Sequence, residues 1–237
     1  MALDTFSAEI LSIHRMTPRV KQFLLESERG LSYQPGQHTC IVVPQDNGRD
    51  AVRPYTPVNL PKGNRMTLAI KTYEDGTVST YMDEREVGDT VTIIPFKGNL
   101  HVKDLEGHNV FLSTGTGITP MVAMLRDFLS TPGGEATFIF GERTQEDLMY
   151  RETLDILSAE HDNLEVVYVL SDEEWSGPTG LIQDHVEQYV DNISSADFYV
   201  CGVPQMVVDT EERLKELGAP EDHILSEGWE AGAVKDD

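Results

Sequence analysis

The chain has 237 residues, 39% of them hydrophobic, enough for one large domain or two modest ones, and 41 acidic residues against 18 basic ones give a formal net charge of −23. That sign disfavours binding to DNA or to an anionic membrane. No apolar run approaches the roughly 20 residues of a membrane helix, and two cysteines, Cys40 and Cys201, are too few for a four-thiolate iron–sulfur cluster.

Carboxylates are spread along the chain with no acidic tail, which suits a cytoplasm where salt screens charge, so a halophilic source is expected; an ordinary acidic enzyme is the plainer alternative. The start, MALDTFSAEILSIHR, lacks a basic stretch followed by an apolar one, so no signal peptide is read and a reduced, cytoplasmic setting is expected.

Up to about residue 100 the pattern is one of short strands set off by turn residues. FSAEILSIHRMT runs to Pro18, RVKQFLLES to Gly30, QHTCIVV to Pro44, RMTLAIKTY to Glu74-Asp75-Gly76, and DTVTII to Pro95. Only GTVSTYMDERE looks briefly helical, so an antiparallel β-barrel or sandwich is expected. After residue 107 strands alternate with helices. NVFLS, ATFIF, LEVVYVL and DFYVC are followed by helices over 119–129, 146–159, 180–190 and 204–217, and a last strand lies near HILS. The first helix places Met121, Met124, Leu125, Phe128 and Leu129 on one face, and ATFIF and VVYVL do not alternate, as in strands covered on both faces of a parallel α/β sheet. The boundary between a β-barrel over 1–104 and an α/β domain over 105–237 is placed in the turn-rich link PFKGNLHVKDLEG.

Parallel sheets bind ligands at the carboxyl ends of their strands, where STGTGITP sits directly after NVFL. Gly115 and Gly117 remove side chains from the turn, Thr116 and Thr119 are small, and Pro120 suits a first helical turn. Backbone N–H groups and the helix dipole then favour a phosphate, though a merely tight strand-to-helix turn reads the same way. No P-loop lysine follows, which argues against nucleoside triphosphate hydrolysis. No HExxH, paired Cys/His cluster or GxSxG elbow occurs, so no metal site or serine nucleophile is expected.

Three further stretches, RPYTPV (53–58), GTVSTYM (76–82) and CGVPQMV (201–207), stand in order with GTGITPM. Together they resemble the ferredoxin–NADP reductase superfamily, and RPYTPV with IKTYEDGTVSTYM is most similar to its cytochrome b5 reductase and oxygenase-reductase branches. The resemblance covers nearly the whole chain and implies a flavin-binding barrel followed by a nicotinamide-binding α/β domain. It implies that Arg53, with Pro54 beside it, meets the FAD pyrophosphate; that Tyr55 packs on the ring system; and that Thr56 lies near the hydride-accepting nitrogen. Gly76, Val78, Ser79 and Thr80 would meet the other side of the pyrophosphate, and Ala69, Ile70 and Lys71 would line the flavin, with Lys71 equally readable as a solvated strand residue. His38 is either near the flavin or a partly exposed strand residue, and Cys40 reads as core.

In the second half the resemblance places the NAD(P)H pyrophosphate on 115–119 and Cys201, Gly202 and Met206 near the nicotinamide, Cys201 shaping the pocket rather than attacking; a buried structural cysteine is the bland alternative. Glu227 matches the glutamate of a family C-terminal motif, but Ser226 and Gly228 replace its tyrosine and arginine, and Trp229 would stand for the final aromatic. In VLSDEEW, Asp172 follows Ser171 where NADPH-specific relatives carry arginine, so NADH is favoured over NADPH, with Arg143 as the residue that reaches a 2′-phosphate if any does. The expected activity is hydride transfer from NAD(P)H to bound FAD and electron delivery to a separate carrier, a ferredoxin, a haem protein or an oxygenase component. A free-flavin reductase, an electron-transfer subunit of a larger complex and a non-catalytic nucleotide-binding regulator are the alternatives.

Overall fold

The computed structural model describes residues 4–227, and the chain divides into two compact units, Met1–His101 and Val102–Asp237. In the first, β1 (Phe6–Thr17), β2 (Val20–Ser27), β3 (Thr39–Pro44), β4 (Asp50–Tyr55), β5 (Arg65–Lys71) and β6 (Thr90–Ile93) make one sheet in the order β4-β3-β6-β1-β2-β5. All its pairings are antiparallel. Its inner face buries Ile10, Phe23, Leu25, Ile41, Met66, Leu68 and Ile93. The run TCIVV in β3 does not alternate because both faces are covered: Ile41 and Val43 join that core, while Cys40 and Val42 cluster with Ile94 on the other side. Past β4 the chain reaches the opposite edge, where Val58 N–H donates to the Thr67 carbonyl (3.0 Å) and Thr67 N–H to Asn59 Oδ1 (2.6 Å), so the sheet curls toward a barrel. Helix α1 (Thr77–Asp83) packs against β3, β4 and β5.

In the second unit β7 (His108–Thr114), β8 (Glu135–Glu142), β9 (Leu164–Leu170), β10 (Asp197–Cys201) and β11 (Ile224–Glu227) form a wholly parallel sheet in the order β11-β10-β7-β8-β9. The chain steps outward from β7 to β9 and then returns to the other side of β7, so strand order reverses between β7 and β10. The helices are α2 (Ile118–Leu129), α3 (Arg151–Glu160), α4 (Val186–Tyr189) and α5 (Pro204–Glu216).

Two helical expectations need correction. The helix expected over 146–159 is a 3-10 turn, Gln145–Asp147, followed by α3, because Tyr150 adopts φ 55° and breaks the run. The helix expected over 180–190 begins only at Ile182, since Gly180 has φ 105° and Leu181 is extended, and it becomes a 3-10 turn followed by the short α4. In α2 the expected stripe is buried, and burial extends nearly all round the helix, because Val122 and Ala123 are apolar as well and only Arg126 and Asp127 reach solvent.

Lys103 N–H donates to the Tyr199 hydroxyl (3.0 Å), which donates to Asn109 Oδ1 (3.1 Å), and Asn109 Nδ2 donates to the Asp104 carbonyl (2.8 Å). These bonds pin residues 103–109 to the amino end of the second sheet. The acidic surplus is concentrated in this unit: residues 1–101 hold 12 acidic and 11 basic side chains, residues 102–237 hold 29 and 7. Among the described residues no helix is long and apolar enough to cross a membrane.

Candidate nucleotide and flavin sites

At the carboxyl end of β7 the chain turns directly into a 3-10 turn, Gly115–Gly117, which runs into α2. The two glycines serve different ends. Gly115 has φ +57°, and a Cβ there would meet only open space, so its conformation is what requires glycine. Gly117 has an ordinary helical φ of −60°, but its Cβ would collide with the Cys201 carbonyl and lie 2.5 Å from the Cys201 carbonyl carbon. The turn is thus packed backbone-on-backbone against the end of β10. A Cβ on Gly202 would in turn lie 2.9 Å from Thr114 N and collide with Thr114 Oγ1 and Met206 Cε. The Thr114 hydroxyl accepts from Val203 N–H (3.2 Å), a contact that nothing in the one-dimensional pattern signals. Thr119 Oγ1 donates to the Thr116 carbonyl (3.0 Å), and Pro120 falls in the first turn of α2. This is the reversal point of a doubly wound sheet, where such folds take ligands.

Cys201 stands in register with Ser113 on β7 and with Glu227 on β11. Burial first, and then the Glu227 charge, push its thiol up to about 12, so it is neutral at physiological pH and no nucleophile. The structure therefore brings Gly115, Thr116, Gly117, Thr119, Pro120, Cys201, Gly202, Met206 and Glu227 to one end of one sheet. Gly228 and Trp229 lie outside the described residues.

Arg143, Ser171 and Asp172 follow β8 and β9. Ser171 N–H donates to the Glu142 carbonyl and Asp172 N–H to the Arg143 carbonyl, each at 3.0 Å, which continues the ladder past the strand ends. Asp172 Oδ2 lies 4.0 Å from Arg143 Nε and its Oδ1 accepts from the Ser171 hydroxyl (2.8 Å).

In the first unit Arg53 is exposed on β4, with Nη1 donating to the Val52 carbonyl (2.9 Å), and Pro54 is exposed beside it. Tyr55 is half-buried against the core and its hydroxyl pKa is raised, by burial first, with Arg53 opposing and Tyr73 and Cys40 adding to it. Thr56 is buried. Ala69 and Ile70 are buried in β5 and Lys71 is half-buried with its ammonium 5.7 Å from the Tyr73 ring. Ser79 is committed to the turn: its hydroxyl accepts from Tyr73 N–H (3.2 Å) and donates to the Gly76 carbonyl (3.1 Å), while Thr80 Oγ1 donates to the Tyr73 carbonyl (3.2 Å). Ser79 and Val78 are buried, so the donors the turn presents outward are backbone N–H groups of the first turn of α1, which carries no acidic residue. A cleft of about 420 Å³ lies along this turn, lined by Gly76, Thr77, Thr80 and Tyr81 together with Glu74, Asp75 and Glu84. Tyr73, 53% exposed beside Tyr55 and Lys71, is a candidate flavin-site residue whose exposure only the fold reveals.

Residues 8–102 match the oxidoreductase FAD-binding domain family and residues 111–212 the oxidoreductase NAD-binding domain family. The chain is 31% identical over 213 residues to an NADH-cytochrome b5 reductase 1 of Laccaria bicolor, covering 86% of this chain and 69% of that one. The chain belongs to the ferredoxin–NADP reductase superfamily. A ferredoxin–NADP reductase B of Sorangium cellulosum is 29% identical over 242 residues, covering 96% of this chain and 98% of that protein. Among solved structures, the CS-b5R domains of human Ncb5or in the NAD+ form superpose with a TM-score of 0.85 at 25% identity, covering 95% of this chain and 70% of that one. This superfamily member is an FAD-dependent NAD(P)H oxidoreductase.

Its charge distribution differs between the two candidate dinucleotide sites. In a unit with 29 carboxylates, residues 109–126 and 201–208 contain none, so the turn that would hold the NAD(P)H pyrophosphate is kept clear of like charge. In the first unit residues 51–73 hold Arg53, Lys62, Arg65 and Lys71 and no carboxylate, but Arg65 is paired with Glu26 (2.9 Å) and Glu74, Asp75 and Glu84 line the cleft at the Gly76 turn, which leaves Arg53 as the cation suited to a pyrophosphate. Among the described residues no three His, Cys, Asp or Glu side chains are grouped to hold a metal ion.

Proposed function

We propose that this reductase takes hydride from NADH and passes electrons to a separate protein carrier, a ferredoxin, a haem protein or an oxygenase component. Bound FAD supplies the step from two-electron acceptance to one-electron release. Arg53 grips its pyrophosphate as a guanidinium fork, backbone N–H groups at Thr77–Ser79 meet the other side, and Tyr55 and Thr56 flank the ring system. The Gly115–Gly117 turn orients NADH by its pyrophosphate. Cys201, held neutral, fills the nicotinamide pocket without competing for hydride or proton, and Glu227 sits beside it. Relatives named ferredoxin–NADP reductase, NADH-cytochrome b5 reductase and anthranilate 1,2-dioxygenase electron transfer component support the range of carriers.

The observation that carries the choice of NADH is the Asp172–Arg143 pair: the cation best placed for a 2′-phosphate already faces a carboxylate. A ribose 2′-hydroxyl, by contrast, can donate to Asp172. Steady-state kinetics with ferricyanide as acceptor test this: kcat/KM is larger for NADH, and a larger value for NADPH refutes the preference. FAD retained at one per chain through purification distinguishes a held cofactor from a flavin that is itself a substrate.

A further inference from the structure

The loops after β8 and β9 are tied by a clasp that the proposed chemistry does not use. Both oxygens of the Glu173 carboxylate are engaged by one residue, Gln145: its backbone N–H reaches Oε2 at 2.8 Å and its side-chain amide reaches Oε1 at 2.6 Å. These bonds hold the Glu173 carboxyl below the usual carboxylate range. The loop bearing Glu173 is closed at its base, where Leu170 N–H donates to Pro178, Gly180 N–H to Leu170, and Trp175 Nε1 to the Pro178 carbonyl (2.8 Å). Residues 142–147 and 172–174 together carry six carboxylates and one cation, Arg143.

The Arg143–Asp172 pair is exposed on both sides, and a surface pair of this kind contributes about 1 kcal/mol or less. Alone it opposes only weakly the turning of the guanidinium to a 2′-phosphate, which the guanidinium could grip with paired hydrogen bonds. Something must fix the carboxylate side, and the clasp does so from the next residue along. It lies one residue beyond Asp172, whose own N–H continues the strand-end ladder to the Arg143 carbonyl (3.0 Å), and it sets a second negative charge beside Arg143's partner.

We propose that Gln145 and Glu173 are specificity-determining positioning residues, whose clasp fixes an anionic rim that excludes the 2′-phosphate of NADPH while leaving a ribose hydroxyl acceptable. The proposal rests on the NADH reading above. Gln145→Ala removes one arm of the clasp, Glu173→Ala removes its acceptor, and Glu173→Gln removes the charge while keeping an amide oxygen.

The FAD-loaded full chain is assayed with NADH and NADPH, and binding of 2′,5′-ADP and of 5′-AMP is measured by calorimetry. The expected result is a fall of about tenfold in the NADH-to-NADPH ratio of kcat/KM for Glu173→Ala, a smaller fall for Gln145→Ala, and tighter binding of 2′,5′-ADP but not 5′-AMP. The kcat at saturating NADH stays unchanged in all three. An unchanged ratio with unchanged 2′,5′-ADP binding overturns the clasp, as does an equal loss for both nucleotides, which marks a purely structural contact. A wild-type preference for NADPH overturns the NADH reading instead, and is seen before any variant is made.

Discussion

Replacing Gly117 by alanine separates the two reasons for glycine in the GTG turn. At this position the backbone is already in the helical region, so alanine costs nothing in conformation, and as the N-cap of α2 the site lies outside the helix interior where replacing glycine would add stability. What opposes it is space. The new methyl would collide with the Cys201 carbonyl and sit 2.5 and 2.6 Å from Cys201 C and Gly202 N, backbone atoms that no side-chain rotation can clear. Overpacking of this kind costs about 1–3 kcal/mol, and with rigid neighbours the upper half of that range applies, a loss of about 2 kcal/mol. For a protein of this size that is a fall of about 4–8 °C in Tm. Because the turn must move away from β10, KM for NADH rises as well. Gly115→Ala has the opposite logic: space is open, and the left-handed backbone costs about 1–2 kcal/mol. Thermal melts and NADH kinetics on both variants decide the matter. A Gly117→Ala protein with wild-type Tm and wild-type KM would refute the close backbone approach.

Further outcomes follow from the same geometry. Arg53→Ala loses charge-assisted bonds worth about 1.5–3 kcal/mol, so FAD affinity falls about 10- to 100-fold in a fluorescence titration; wild-type affinity would remove Arg53 from the site. The Cys201 thiol, raised to about 12 in the folded chain, titrates at about 8.5 when unfolded. The folded state therefore holds that proton more tightly, and the stability this contributes is complete below the unfolded value and is lost as pH rises from about 8.5 toward 12. In urea melts Cys201→Ala should show a shallower alkaline loss of stability than wild type, and an identical slope would refute the assignment. With 29 acidic against 7 basic residues in the second unit, screening should lower KM for the anionic NADH as salt rises toward about 1 M, where the Debye length is near 3 Å. If melting temperature climbs with salt over the same range, the high-salt setting expected from composition is supported; a salt-independent KM and Tm contradict both ideas.

Legibility differed by element and for physical reasons. Strands such as FSAEILSIHRMT, LEVVYVL and DFYVC coincide with β1, β9 and β10, because turn residues bound them and burial dictates their composition. In the helices after β8 and β9 a single backbone angle decides, at Tyr150 and Gly180, and hydrophobic spacing carries no information about φ. In the nucleotide site GTG was visible as a motif, but the reason for Gly117 lies 84 residues away at Cys201. The Gln145–Glu173 clasp and the Thr114–Val203 bond join positions that only the sheet order makes neighbours. In the acidic run DEE, which reads as generic surface, Asp172 faces Arg143 at 4.0 Å and Glu173 is held by Gln145.

The central claim is that NADH reduces flavin held by this chain. It is tested most directly by mixing the purified, FAD-loaded protein with NADH in the absence of oxygen and following the visible absorbance of the flavin. The account predicts rapid bleaching with one NADH consumed per FAD, and recovery of the band when ferricyanide is added. FAD that stays bound and oxidised in the presence of excess NADH and NADPH would contradict it.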